Sequence, residues 1–236
     1  LMTRHKELFL LLFFFVSCAI TAQEPTKLLR YPALSPDGST LAFSYQGDIW
    51  KVSSSGGTAV RLTVHAANDI TPKFSPDGKS IVFSGSRYGN NDLFVIPAEG
   101  GAAKRLTWHS ANDMVSQWTS GGDILFNTVR EFVHVERDAE IYSLPAKGGT
   151  EGRMLDVLGF DPVQSPDDRF IAFTIGGSNP VVREAYRGSA NRNIWIYDKK
   201  NNSYHKLINS TANEHSPEWL DNRTLAYISS ENGKYN

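Results

Sequence analysis

The chain has 236 residues, 40% of them hydrophobic, 11% aromatic and 21% charged, and a formal net charge of −1. That length supports one large domain with a substantial core, and the composition is that of a folded globular protein. A charge so close to zero leaves no electrostatic footprint for nucleic acid or an anionic membrane surface.

The N-terminus reads as a separate object. Arg4, His5 and Lys6 precede nine apolar residues, Leu8 to Val16, and small residues then lead to Ala22-Gln23. A basic start, a short apolar run and a small residue before the cut predict a secretory signal peptide over 1–22, cleaved after Ala22. The run is too short to cross a bilayer as a helix, which takes about 20 residues. Ser17-Cys18 offers a second reading, in which Cys18 becomes a lipidated first residue. Otherwise the mature part carries no thiol, because the single cysteine lies in this segment, and it can form neither a disulfide nor a cysteine metal site. The expected location is outside the cytoplasm, in the periplasm.

Residues 23–236 are organised by a returning unit. Ser35-Pro36-Asp37-Gly38 opens Thr40-Leu41-Ala42-Phe43-Ser44, and Ser75-Pro76-Asp77-Gly78 opens Ser80-Ile81-Val82-Phe83-Ser84. Ser165-Pro166-Asp167-Asp168 is a weaker copy, and the turns after Trp118 and Trp219 are degenerate ones. Pro presets φ for the second turn position, Asp bonds its own backbone and Gly accepts positive φ, so each unit predicts a tight turn between antiparallel strands. A short strand a ends at the turn and the apolar strand b follows it. Strand c starts at Asp48, Asp92, Glu140 and Asn193, and strand d carries Arg61, Arg105, Arg153 and His205. Four strands per repeat predict β-propeller blades at about 31–69, 70–113, 114–159 and 160–214, with half of a fifth at 215–236. An exposed blade edge would remain at Tyr235-Asn236, so the expectation is a truncated all-β propeller.

Only one connection grows along the chain. From the strand-b aromatic to the strand-c aliphatic the offset grows as 6, 10, 15 and 21 (Phe43 to Ile49, Phe83 to Leu93, Phe126 to Ile141, Phe173 to Ile194). In an antiparallel blade, b–c and d–a connections share one face of the disc and the two other turns share the opposite face. All the elaboration therefore gathers at one rim, where loops on a rigid scaffold tend to carry function. From the long loops we take Arg130, Arg183, Tyr186, Arg187 and Arg192 as candidate contacts for carboxylates or carbonyls of a passing peptide, against the plainer reading of solvated loops with local ion pairs.

The chain holds no nucleophile elbow, zincin motif, phosphate loop or dinucleotide-binding glycine pattern, and it implies no catalytic residue, cofactor or metal. His65 and His109, in repeat-equivalent d–a connections, read as loop residues copied with the repeat rather than as ligands. Asp69 and Asp113 are expected to hold their turns through side-chain-to-backbone bonds. Three Asn-x-Ser/Thr triplets, at Asn201, Asn209 and Asn222, read as chance.

Arg30-Tyr31-Pro32, the paired His-x-x-Asn-Asp connections, Asp161 to Phe173 and above all Arg183-Glu184-Ala185-Tyr186-Arg187-Gly188 leading to Asn193-Ile194-Trp195 resemble the N-terminal propeller of a tricorn-type serine peptidase. The resemblance covers 28–236 and extends to TolB-like repeats. It implies a six-bladed propeller ahead of a seven-bladed one, a PDZ domain and a peptidase core. The propellers of that family are non-catalytic and channel peptides or unfolded polypeptide to a protected active site. The implied partners are such peptides and the downstream domains of the same chain, with a homo-oligomer of the parent left open, and no membrane beyond the export signal. Two rival readings are the propeller of a prolyl-oligopeptidase-like hydrolase, whose Gly-x-Ser-x-Gly would lie downstream, and a TolB-like periplasmic scaffold.

Overall fold

The computed structural model describes residues 28–131, 139–177, 188 and 190–231. The expected signal peptide, Cys18, Arg183, Tyr186 and Arg187 lie outside the described residues.

The described chain forms four sheets of four strands and one sheet of two, each strand hydrogen-bonded to its successor. The first holds β1 (Arg30–Leu34), β2 (Thr40–Tyr45), β3 (Asp48–Ser53) and β4 (Val60–Arg61). The second holds β5 (Asp69–Phe74), β6 (Ser80–Gly85), β7 (Asp92–Pro97) and β8 (Lys104–Arg105). The third holds β9 (Met114–Trp118), β10 (Asp123–Thr128), β11 (Glu140–Pro145) and β12 (Gly152–Leu158). The fourth holds β13 (Phe160–Gln164), β14 (Phe170–Ile175), β15 (Asn193–Asp198) and β16 (Ser203–Lys206), and β17 (Glu214–Trp219) pairs with β18 (Leu225–Ser229). Every pairing is antiparallel. These are the blades of a propeller.

Burial on both faces of the sheets explains why the second and third strands are apolar almost throughout. Ala42, Ile49 and Leu62 of the first blade pack with Phe74, Ile81 and Phe83 of the second. The other face of the second blade, Val82, Leu93 and Leu106, meets Ile124, Phe126 and Leu144 of the third. Ile141 and Leu155 then meet Ile171 and Phe173 of the fourth, whose Ala172 and Ile194 cover Trp219, Leu225 and Tyr227. Phe83, Phe126 and Phe173 are fully buried, each contributing about 1.5–3 kcal/mol of transfer free energy.

The repeated turn has a fixed internal wiring. Ser35 Oγ donates to Asp37 Oδ1 at 2.6 Å and accepts from the Thr40 amide at 2.9 Å. Ser75 does the same with Asp77 and Ser80, and Ser165 with Asp167 and Phe170. Gly38 and Gly78 take φ of 72° and 70°, and Asp168 holds that place in the weaker copy at 63°. In the degenerate third turn Thr119 Oγ1 stands in for the serine, accepting from the Asp123 amide at 3.1 Å.

The first strand of each sheet is longer than the sequence pattern implies. The cause is a bulge that breaks the alternation in all five, between Arg30 and Ala33, Ile70 and Lys73, Phe160 and Val163, and His215 and Glu218, and around Ser116 in β9. The fourth strands β4 and β8 are shorter than expected, two residues each.

Candidate functional site

The five first strands line one cavity system. Beside the short turns a funnel of about 610 Å3 is walled by residues from the ends of β1, β5, β9, β13 and β17, among them Phe74, Trp118 and Trp219. Deeper in, a chamber of about 280 Å3 is ringed by Tyr31, Thr71, Ser116, Asp161 and Ser216. These ring residues sit at the bulges. Tyr31, Thr71, Asp161 and Ser216 each have positive φ, between 51° and 54°, and each precedes a proline. A β-branched or bulky residue there is a backbone outlier, and each such position costs on the order of 1–3 kcal/mol. In β9, Ser116 takes the place of the proline and no residue of that strand has positive φ. The bulge re-aims a polar side chain at the axis, which makes a hydroxyl-rich wall.

On the opposite face the blades are clasped to one another. The residue before the third strand of each blade accepts the first amide of the next blade. Asp69 N donates to Gly47 O, Asp113 N to Asn91 O, Gly159 N to Ala139 O and Glu214 N to Arg192 O, at 2.7–2.8 Å. This places the b–c and d–a connections on one face, the arrangement expected from the order of strands. In the His-x-x-Asn-Asp segments His65 and His109 Nδ1 accept from the Ala67 and Ala111 amides at 3.0 Å. Ser210 Oγ does the same for Ala212 at 3.2 Å. Asn112 Oδ1 accepts from Asn91 N at 2.8 Å, and Asn213 Oδ1 from Arg192 N at 3.1 Å. The histidines are thus loop-holding residues.

Asp69 and Asp113 act differently from expectation. They are fully buried and pair with arginines, Arg87 at 2.7 Å and Arg130 at 2.8 Å. A fully buried carboxylate needs such a partner, and backbone bonds alone would leave its charge uncompensated. Arg130, with its side chain 8% exposed, also donates to Glu151 at 2.7 Å and lies over Tyr142. Burial alone would lower its pKa, but bonds to Asp113 and Glu151 hold the guanidinium above its usual value. Its charge therefore faces the interior. Arg192 is half-buried, with its guanidinium 5.6 Å from the centre of the Phe160 ring. Burial, then the Arg192 charge, lowers the His215 pKa. Of the five candidate contacts, Arg130 and Arg192 are thus placed, well apart in role.

The channel itself was missed in the sequence. Its signal was a proline three residues ahead of the turn, at Pro32, Pro72, Pro162 and Pro217. Among the described residues no group of three or more His, Cys, Asp and Glu side chains converges as a metal site. No described helix is long and apolar enough to cross a membrane.

The chain matches the family model of the tricorn protease N-terminal β-propeller domain over residues 26–236. It is 29% identical over 221 residues to tricorn protease homolog 1 of Streptomyces coelicolor, covering 91% of this chain and 20% of that protein. The chain thus spans about a fifth of the length of that relative. Among solved structures it superposes on the crystal structure of the tricorn protease with a TM-score of 0.74 at 18% identity, over 88% of this chain and 21% of the other. A putative TolB from Agrobacterium tumefaciens gives 0.66 at 19%, over 89% and 79%. These two likenesses establish the fold. The family match, which takes in all five first strands and the channel between them, makes this chain a member of the tricorn protease N-terminal β-propeller domain family.

Proposed function

We propose that the chain is the non-catalytic propeller of an exported tricorn-type serine peptidase, guiding peptides to or from a catalytic core carried by other parts of a longer protein. The observation that carries this reading is the axial channel, a funnel and chamber built from the first strand of every sheet. In this reading β17 and β18 are the first half of a fifth blade in a six-bladed ring. Residues 1–22 are a cleaved leader and 23–236 the propeller part. Arg183, Tyr186, Arg187 and Arg192 belong to the rim that contacts peptide.

The test is a pair of assays with peptides of graded length. The chain alone is expected to hydrolyse none of them. The parent protein is expected to hydrolyse them and to slow when Thr71→Trp and Ser216→Trp fill the chamber. Hydrolysis by the isolated chain, or a parent indifferent to the filled chamber, overturns the reading. The Agrobacterium structure, nearly four-fifths of which is covered by this chain, favours a second reading, a TolB-like binding scaffold. That reading requires a parent with no peptidase activity.

A further inference from the structure

Funnel and chamber share three lining residues, Pro32, Lys73 and Glu218. These three form the neck between the two spaces. Lys73 and Glu218 occupy the same place in the repeat, one residue before the end of β5 and β17. The equivalent residues of the other sheets are Ala33, Gln117 and Val163, and of these Gln117 is committed to the Gln164 backbone at 2.7 and 3.1 Å. Among the described residues neither the Lys73 ammonium nor the Glu218 carboxylate has an ion-pair or hydrogen-bond partner. Two lysines of the turn face are committed instead: Lys51 pairs with Glu99, and Lys199 with Asp168. Lys73 is half-buried and Glu218 exposed, so an uncommitted cation and an uncommitted anion border the same space in an arrangement of opposite charges. The ligand that matches it carries opposite charges at its two ends. On the funnel side Trp118 and Trp219 offer large amphipathic surfaces for an apolar side chain. The funnel volume lies within the range of small-ligand sites, about 300–1,000 Å3.

We propose that the neck binds a short peptide with free ends, its carboxylate on Lys73, its ammonium on Glu218 and an apolar side chain against Trp118 and Trp219. The biological meaning of this site rests on the channel reading above; its existence does not. A free amino acid shares the zwitterionic chemistry, so the test separates the two sources.

The full chain is titrated with Leu-Phe, with the same dipeptide capped at one end or both, and with phenylalanine, by calorimetry and tryptophan fluorescence. The free dipeptide is expected to bind, and capping both ends to weaken binding about tenfold or more. Lys73→Gln abolishes the preference for a free C-terminus and keeps that for a free N-terminus, and Glu218→Gln does the reverse. Neither side chain holds another part of the fold, so both variants keep the parent's circular dichroism. Equal binding of free and capped dipeptide, loss of both preferences in either variant, or no binding at about 10 mM peptide overturns the proposal. Phenylalanine binding as tightly as the dipeptide overturns the peptide assignment. Failure here leaves the channel reading intact, whereas hydrolysis by the isolated chain removes that reading and leaves the neck standing.

Discussion

The junction between the third and fourth blades can be set against those on either side of it. Between the first and second blades, the second and third, and the fourth blade and the last two strands, an Asn-acid pair clasps the preceding blade. Its backbone bond is Asp69 to Gly47, Asp113 to Asn91 and Glu214 to Arg192 in turn. At the remaining junction Val157-Leu158-Gly159-Phe160 has neither the asparagine nor the acid. The backbone bond survives, Gly159 N to Ala139 O at 2.7 Å, but the side chain comes from the other partner. Asn127 at the end of β10 donates to Gly159 O at 2.9 Å and accepts from Asp161 N at 2.9 Å. Packing replaces the lost acid: a Cβ on Gly159 would lie 2.7 Å from the Phe173 ring. The same contact is thus made by two sets of residues, one electrostatic and repeated, the other steric and found once.

The comparison breaks most sharply at Arg130. Arg130→Met strands the Asp113 and Glu151 carboxylates, and the expected loss is about 3–5 kcal/mol, read as a fall in the denaturant midpoint. Asn127→Ala removes the substitute clasp and leaves several backbone groups unmet, for a loss of about 3 kcal/mol and faster hydrogen exchange at Gly159 and Asp161. Gly159→Ala forces the Phe173 ring aside, at a cost of about 1–3 kcal/mol, seen as altered aromatic methyl-ring shifts around Leu155. Asn112→Ala at a repeated clasp loses the bond from Asn91 N and costs about 1 kcal/mol. His109→Ser in the same loop is expected to be near neutral in thermal unfolding, because Ser210 already performs that bond at 3.2 Å.

Acid sharpens the contrast between the two faces. In the short turns, hydrogen bonds from serine and backbone hold Asp37 down to about 2 and lower Asp77, Asp167 and Asp221. The Asp221 turn draws mainly on the Arg223 amide and Thr224. Their folded values lie below the unfolded one, about 3.9, so the stability they add is present above that pH and is lost as pH falls through the folded values. On the clasp face, burial raises Asp92. Its contribution runs the other way: the folded state holds that proton more tightly, which favours folding at low pH and fades as pH rises. Unfolding followed from pH 5 to 2 is expected to weaken the chain, and Asp37→Asn to flatten that slope without changing stability at the acid end.

Strand order and turns were legible because their signals are local. Ser75-Pro76-Asp77-Gly78 carries its own wiring, and the burial of Phe83 follows from alternation alone. The first strands were read short because Thr71-Pro72 and its counterparts break the two-residue period at the bulge. The pairing of Asp113 with Arg130 was illegible for another reason. The two lie 17 residues apart, one just before β9 and the other just past β10, and nothing near either residue announces the other. The channel combines both obstacles, since its walls are single residues drawn from five separate strands.

The clasp bond also sets the order in which the ring can close. A carbonyl such as Asn91 O gains its backbone donor, Asp113 N, only from the start of the blade that follows. Each sheet therefore gains its clasp only when its successor begins to form. The coupling between neighbours is that of a one-dimensional array, with each clasp joining adjacent blades. A nascent propeller of this kind locks in the direction of synthesis, one tooth at a time, like a ratchet.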